Sequence, residues 1–334
     1  MEKRYISQAN LKTWLKALLK AGMPVYAPVK QGEKTDFRYI KTVDEITLEA
    51  PQSLQSAKAV LFPRAEKLFS YTRVKNDITQ QDYDPEAIPE TIVFALRPCD
   101  TVGLKSLSAI FNGDTIDKPF NERKKRATLV SISCATCDAS CFCTSVGGHP
   151  GNTEGSDLLL TKVNEGYLVE VITEKGAKQV ADHHALFEAA PDIQKEDFLA
   201  KVPTVFNHRE LQQKMTNLFD SEVWKQQSER CLGCGACAFV CPVCACFDIQ
   251  EETEGNKGNR LRCWDSCGFS LFTLHTSGHN PRATQPQRWR QRLLHKFVYL
   301  PERDIPGCTG CGRCSRACPV EMNIAEHLTG IAGL

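Results

Sequence analysis

A pattern of four cysteines and a proline, C-x-x-C-x-x-C-x-x-x-C-P, occurs twice in this chain and limits its fold more than any other feature. The first copy, C-L-G-C-G-A-C-A-F-V-C-P, places Cys231, Cys234, Cys237 and Cys241 before Pro242. The second, C-T-G-C-G-R-C-S-R-A-C-P, places Cys308, Cys311, Cys314 and Cys318 before Pro319. This is the spacing of the bacterial ferredoxin run for a [4Fe–4S] cluster. Three thiolates two residues apart wrap one corner of a cubane, and Gly233, Gly235, Gly310 and Gly312 leave room for backbone amides to face its sulfurs. The proline turns the chain away and sends the fourth cysteine to the other cluster. The expected ligand sets are therefore crossed: Cys231, Cys234, Cys237 and Cys318 for one cluster, and Cys308, Cys311, Cys314 and Cys241 for the other. Zinc sites pair two C-x-x-C units, or one with histidines, and have no reason to repeat this longer pattern.

Composition supports a reduced, metal-binding protein. The chain has 334 residues, enough for two domains, and 17 cysteines, an odd number with 12 of them from residue 231 onward. A secreted disulfide scaffold is normally short, signal-bearing and even in cysteine. Lys12, Lys16 and Lys20 interrupt the apolar positions of the first helix, so no secretory signal is read there. No apolar run reaches the length of a membrane span. A net charge of +1 speaks against a nucleic-acid-binding role. The expectation is a cytoplasmic protein.

Hydrophobic periodicity divides the chain near residue 205. Residues 1–205 read as a mixed α/β domain. Leu11, Trp14, Leu15, Leu18 and Leu19 mark an amphipathic helix over 8–21. Strand-like runs follow at Val25–Val29, Phe37–Lys41, Ala59–Phe62, Thr91–Leu96, Ala127–Ile132, Asp157–Thr161 and Tyr167–Ile172. The segment T-I-V-F-A-L-R-P-C-D reads as strand, turn and helix start, with Asp100 as the expected N-cap. It puts Arg97, Cys99 and Asp100 at a strand's carboxyl end, where ligands of α/β sheets sit. Residues 206–334 read as mainly helical, with a helix over Arg209–Gln227, another from Pro286, and little strand character.

Nine cysteines lie outside the quartets. The run C-A-T-C-D-A-S-C-F-C matches no standard ligand motif; it is either a thiol patch or, with Cys99, a third cluster site formed by Cys99, Cys134, Cys141 and Cys143. Cys244, Cys246 and Cys267 are candidates for an accessory role beside the first quartet, against the alternative of plain packing. Cys137 and Cys263 are read as packing residues. His279 and His295 are read as structural. Arg282, Arg288, Arg290, Arg292, Lys296 and Arg303 form a basic stretch, suited to a solvated face, to an acidic partner or to balancing anionic clusters. No glycine fingerprint for a nicotinamide or flavin, no phosphate loop and no nucleophile elbow is found.

The segments F-A-L-R-P-C-D (94–100), C-F-C-T-S-V-G (141–147), C-L-G-C-G-A-C-A-F-V-C-P-V-C-A-C-F-D (231–248), R-C-W-D-S-C (262–267), G-H-N-P-R (278–282), L-L-H-K-F-V-Y-L-P-E-R (293–303) and C-T-G-C-G-R-C (308–314) follow one another in this order. Together they resemble the beta (iron–sulfur) subunit of cytoplasmic nickel–iron sulfhydrogenases and its relative, the corresponding iron–sulfur subunit of anaerobic sulfite reductases. The likeness runs from about residue 91 onward; the first 90 residues match only in general character, and Cys137 and Cys263 depart from the pattern. The resemblance implies an electron-relay subunit with two [4Fe–4S] clusters, working between a flavoprotein subunit that handles FAD and NAD(P)H and a catalytic reductase or hydrogenase subunit. The competing reading is a reductase in its own right, with a substrate site near Arg97, Cys99 and Cys134–Cys143. The helical two-cluster module is expected by analogy with the iron–sulfur subunits of succinate dehydrogenases.

Overall fold

The computed structural model describes residues 2–48 and 52–334. In chain order the elements open with β1 (Glu2–Ser7), α1 (Gln8–Lys20), β2 (Val25–Gln31), β3 (Lys34–Tyr39), β4 (Ala65–Val74) and β5 (Asp77–Asp82). Next come β6 (Thr91–Leu96), α2 (Pro98–Ile110), α3 (Lys118–Arg126), β7 (Ala127–Ile132), β8 (Leu158–Val163), β9 (Gly166–Val171), α4 (Glu174–Asp182) and β10 (Glu188–Ala189). The remainder carries α5 (His208–Thr216), α6 (Val223–Ser228), α7 (Ala236–Phe239), β11 (Phe247–Glu254), β12 (Lys257–Trp264), α8 (Gln285–Leu294), α9 (Arg313–Arg316) and α10 (Ile324–Ala332).

An eight-stranded sheet runs in the order β10-β1-β9-β8-β7-β6-β2-β3, parallel from β2 through β6 and β7 to β8 and antiparallel elsewhere. Strands β6 and β7 are buried at every position, as a parallel centre covered on both faces requires. The amphipathic α1 seats Leu11, Trp14, Leu15 and Leu18 on one face, with Ser7 capping its first turn. Leu104 and Leu107 of α2 and Phe120 of α3 cover the other face. A third apolar core gathers Leu211, Trp224, Trp289, Leu293, Phe297 and Leu328 from the C-terminal helices.

The expected strands over Thr91–Leu96 and Ala127–Ile132 and the helices starting near residues 8 and 286 are present. Four expectations need correction. The run Ala59–Phe62 is no strand: Ala57–Val60 form a 3-10 turn that drives Leu61 and Phe62 into the core. Four apolar residues ahead of a proline are too few to separate the two forms by pattern. The helix over Arg209–Gln227 is two, α5 and α6, and between them Asn217 donates to the Gln213 carbonyl and Ser221 Oγ accepts from the Val223 amide, side-chain bonds that compete with the helical ladder. Asp100 is not the N-cap of α2; Arg97 holds that place, and Asp100, three residues on, accepts a hydrogen bond from the Arg97 amide at 3.2 Å.

Finally, the segment after Cys231 has real strand structure. Strands β11 and β12 form a hairpin that pairs with β4 and β5 in a four-stranded sheet, order β11-β12-β4-β5, so two strands come from each side of residue 205. Its turn sits at Gly255, where φ is +59°. The hairpin is fastened by Arg262, 3% exposed, whose guanidinium pairs with Glu66 and Asp117 and lies over the rings of Phe62 and Phe111. The chain is thus a mixed α/β protein whose C-terminal part combines short helices with this hairpin.

Candidate functional site

Both quartets lie on loops that end in short helices. Gly235 and Gly312 take φ of +75° and +70° as the residues before α7 and α9, a left-handed conformation that any side chain would strain. Space also demands glycine at both: a Cβ on Gly235 would lie 2.5 Å from the ring of Phe269, and one on Gly312 would lie 2.4 Å from the Ser140 carbonyl oxygen. All 17 cysteines are free thiols.

Cys231, Cys234 and Cys237 line one cavity of ≈ 50 Å³. Cys318, from the far end of the second quartet, borders the same cavity, and so does Cys314. Gln285, in the first turn of α8, donates to Cys231 Sγ at 3.0 Å. Cys241 neighbours Cys308 and Cys314 of the second quartet as well as Cys237 of its own. Cys308 and Cys314 are each pushed up, to about 11 and about 12, chiefly by burial, and each has Cys241 and Cys311 among its neighbours. The Gly310 amide points at Cys308 Sγ from 3.4 Å. The two quartets thus lie side by side, with Cys314 and Cys318 at the first cavity and Cys241 near thiols of both copies.

Three cations reach this region from different elements. Lys296 is 5% exposed and donates to Cys241 Sγ at 3.2 Å and to the Gly307 carbonyl at 3.0 Å. Arg292, one helical turn earlier, donates to the Cys237 carbonyl at 3.1 Å. Lys58 donates to the carbonyls of Ala238 and Cys244 and sits 4.1 Å from the centre of the Trp264 ring. Of the basic stretch read from sequence, Arg292 and Lys296 therefore face the cysteines rather than solvent. Their spacing of four residues places them on one helix face, a signal present in the sequence. Nothing in the sequence marks Lys58.

Cys244, Cys246 and Cys267 sit beside Cys241. A hydrogen bond with Cys244 holds the Cys241 thiol well below its ordinary range. Cys246 and Cys267 pair in the same way, which brings Cys267 down to about 6 and pushes Cys246 up. Cys263 lies within β12, and His295 shares a cavity with Cys246 and Cys267.

The donor set fits iron–sulfur clusters. It offers soft thiols, glycine-lined loops, inward amides and nearby cations to offset the charge of four thiolates. Among the described residues no three His, Cys, Asp or Glu side chains converge closely enough to hold one metal ion; a four-iron cubane spreads its thiolates wider than a single ion does. No helix of the described residues is long and apolar enough to cross a membrane.

Residues 230–322 match the family described as 4Fe-4S dicluster domain. The chain is 31% identical over 315 residues to the sulfhydrogenase 2 subunit beta of Pyrococcus furiosus, covering 91% of this chain and 90% of that protein. It is 23% identical over 167 residues to the F420-dependent formate dehydrogenase subunit beta of Methanocaldococcus jannaschii, covering 47% of this chain and 36% of that one. No solved structure matches it. The chain is an iron–sulfur electron-transfer subunit of an oxidoreductase and belongs to the sulfhydrogenase beta-subunit family.

Proposed function

We propose that the protein holds two [4Fe–4S] clusters with crossed ligands, one on Cys231, Cys234, Cys237 and Cys318 and the other on Cys308, Cys311, Cys314 and Cys241. In this reading it relays electrons in the cytoplasm between a flavoprotein subunit carrying FAD and NAD(P)H and a catalytic reductase or hydrogenase subunit. Residues 206–334 are the cluster-bearing part and residues 1–205 the α/β part. What supports the crossing is the meeting of Cys318 with Cys231, Cys234 and Cys237 around one cavity, which Cys314 also borders, and the nearness of Cys241 to Cys308 and Cys314 in addition to Cys237.

Bound clusters supply one-electron chemistry that needs no general acid or base. The chain's own residues set the conditions for it. Lys296 and Gln285 donate to ligand sulfurs, and Arg292 fixes the backbone of Cys237. Such donors and charges stabilise added negative charge and raise the reduction potential.

The test is ligand replacement on the anaerobically purified full chain. Cys314→Ala should remove about four irons and leave the strand signal of the α/β part intact. Cys241→Ala should erase the same paramagnetic signal as Cys314→Ala, and Cys318→Ala the same one as Cys231→Ala. Full iron retention in Cys314→Ala, or zinc in place of iron, refutes the reading.

A further inference from the structure

The largest concentration of thiols outside the quartets lines a separate cavity of ≈ 80 Å³ in the α/β part, formed by Cys99, Cys134, Cys137, Cys141 and Cys143. The fold assembles it from three places. Cys99 lies in the first turn of α2, just past β6, and Cys134 lies two residues past the neighbouring parallel strand β7. Both are therefore at the carboxyl edge of the sheet, where α/β proteins bind ligands. A bulge between Phe94 and Leu96, with Ala95 at a φ of +62°, redirects β6 into the R-P-C-D turn; backbone strain of this kind collects at functional sites. Cys141 and Cys143 arrive on a loop pinned to the second quartet. Phe142, 1% exposed, donates its amide to the Gly310 carbonyl at 2.9 Å. Cys308 and Cys311 form the opposite wall of the same cavity.

Three features make this a ligand set rather than a chance thiol patch. The cavity matches in scale the ≈ 50 Å³ one that the ferredoxin-type cysteines line in the same molecule. Four of the five thiols line it close to one another, Cys134 beside both Cys99 and Cys143, and Cys141 beside Cys134 and Cys143. Cys137 alone turns aside, with Sγ 3.6 Å from the Lys201 carbonyl. Three arginines stand by three of the four: Arg313, ion-paired with Asp100, near Cys99; Arg97 near Cys134; and Arg316, ion-paired with Asp138, near Cys141. The N-terminus of the 13-residue α2 adds partial positive charge at Cys99, and Gln52 donates to Cys99 Sγ at 3.2 Å.

We propose that Cys99, Cys134, Cys141 and Cys143 bind a third four-iron cluster, separated from the second quartet only by the Cys308–Cys311 loop. The proposal goes beyond the two-cluster reading and does not depend on it. The site would extend the chain of redox centres from the C-terminal part to the carboxyl edge of the large sheet.

The experiment is iron and acid-labile sulfide analysis of the full chain, reconstituted anaerobically with iron and sulfide, together with spin counting after reduction. About twelve irons per chain are expected, against about eight without the third site. The double variant Cys134→Ala/Cys143→Ala should lose about four irons and one paramagnetic signal while keeping both signals of the ferredoxin-type quartets. Cys137→Ser should change neither count nor spectrum. A wild-type count of about eight overturns the third site and leaves the two-cluster reading standing, whereas about four overturns the latter. Should the double variant fail to fold, the wild-type count decides alone.

Discussion

The second quartet is tied to the α/β part by a buried ion pair whose removal should be costly. Arg313, between ligand candidates Cys311 and Cys314, is 1% exposed, and so is its partner Asp100 in the first turn of α2. Arg313 Nη2 donates to Asp100 Oδ2 at 2.9 Å, and Nη1 lies 2.7 Å from Oδ1. Arg313 also reaches Ser53, with Nε to its carbonyl at 3.0 Å and Nη2 to its hydroxyl at 3.1 Å. Arg313→Met leaves the Asp100 carboxylate buried without its counter-charge, which costs about 3–5 kcal/mol. At an unfolding entropy of about 2.1 cal/mol/K per residue, a chain of 334 residues loses about 1.4 °C per kcal/mol, so the melting temperature should fall by about 4–7 °C. Asp100→Asn/Arg313→Met should recover at least half of that loss, because no charge remains buried and the amide oxygen still accepts from the Arg97 amide. The assay is anaerobic thermal unfolding followed by far-UV circular dichroism at one scan rate for wild type, both single variants and the double variant. A single variant within about 1 °C of wild type, or a double variant as unstable as Arg313→Met, would refute the claim that uncompensated charge dominates.

Two further outcomes are expected. Lys296→Met removes a buried positive charge and a donor from Cys241 Sγ, so one cluster's midpoint in an anaerobic redox titration should move to more negative potential, by on the order of 100 mV at an effective dielectric near 20; an unchanged or more positive midpoint would count against the charge argument. Gly310→Ala places a Cβ 2.5 Å from the Cα of Cys143 at a φ of +62°, so it should destabilise the chain by about 1–3 kcal/mol or more in denaturant melts, and a neutral result would show that the two loops do not pack as described.

Much of this protein was legible in one dimension because the relevant signals are local. The quartets, their glycines and their prolines are fixed by spacing, and the buried strands Thr91–Leu96 and Ala127–Ile132 stand out as apolar runs. The hairpin of β11 and β12 was not legible, because β11 is exposed along its whole length and shows no alternation to mark it. Its identity as a strand comes from pairing with β12, and through β12 with β4, nearly two hundred residues earlier. The same limit applies to charge. Lys58 and Arg313 carry no mark of burial in the sequence, yet both are buried, since each finds its partners only when distant segments close over it.

Ligand chemistry was therefore set by the sequence alone: thiols at those intervals, with glycine between them, suit iron–sulfur cubanes in any fold that lets the loops form. Which thiols meet, and which cations attend them, was decided by tertiary structure. Burial makes that choice, because a charge removed from water persists only where packing delivers an opposite charge or a hydrogen-bond partner within a few ångströms.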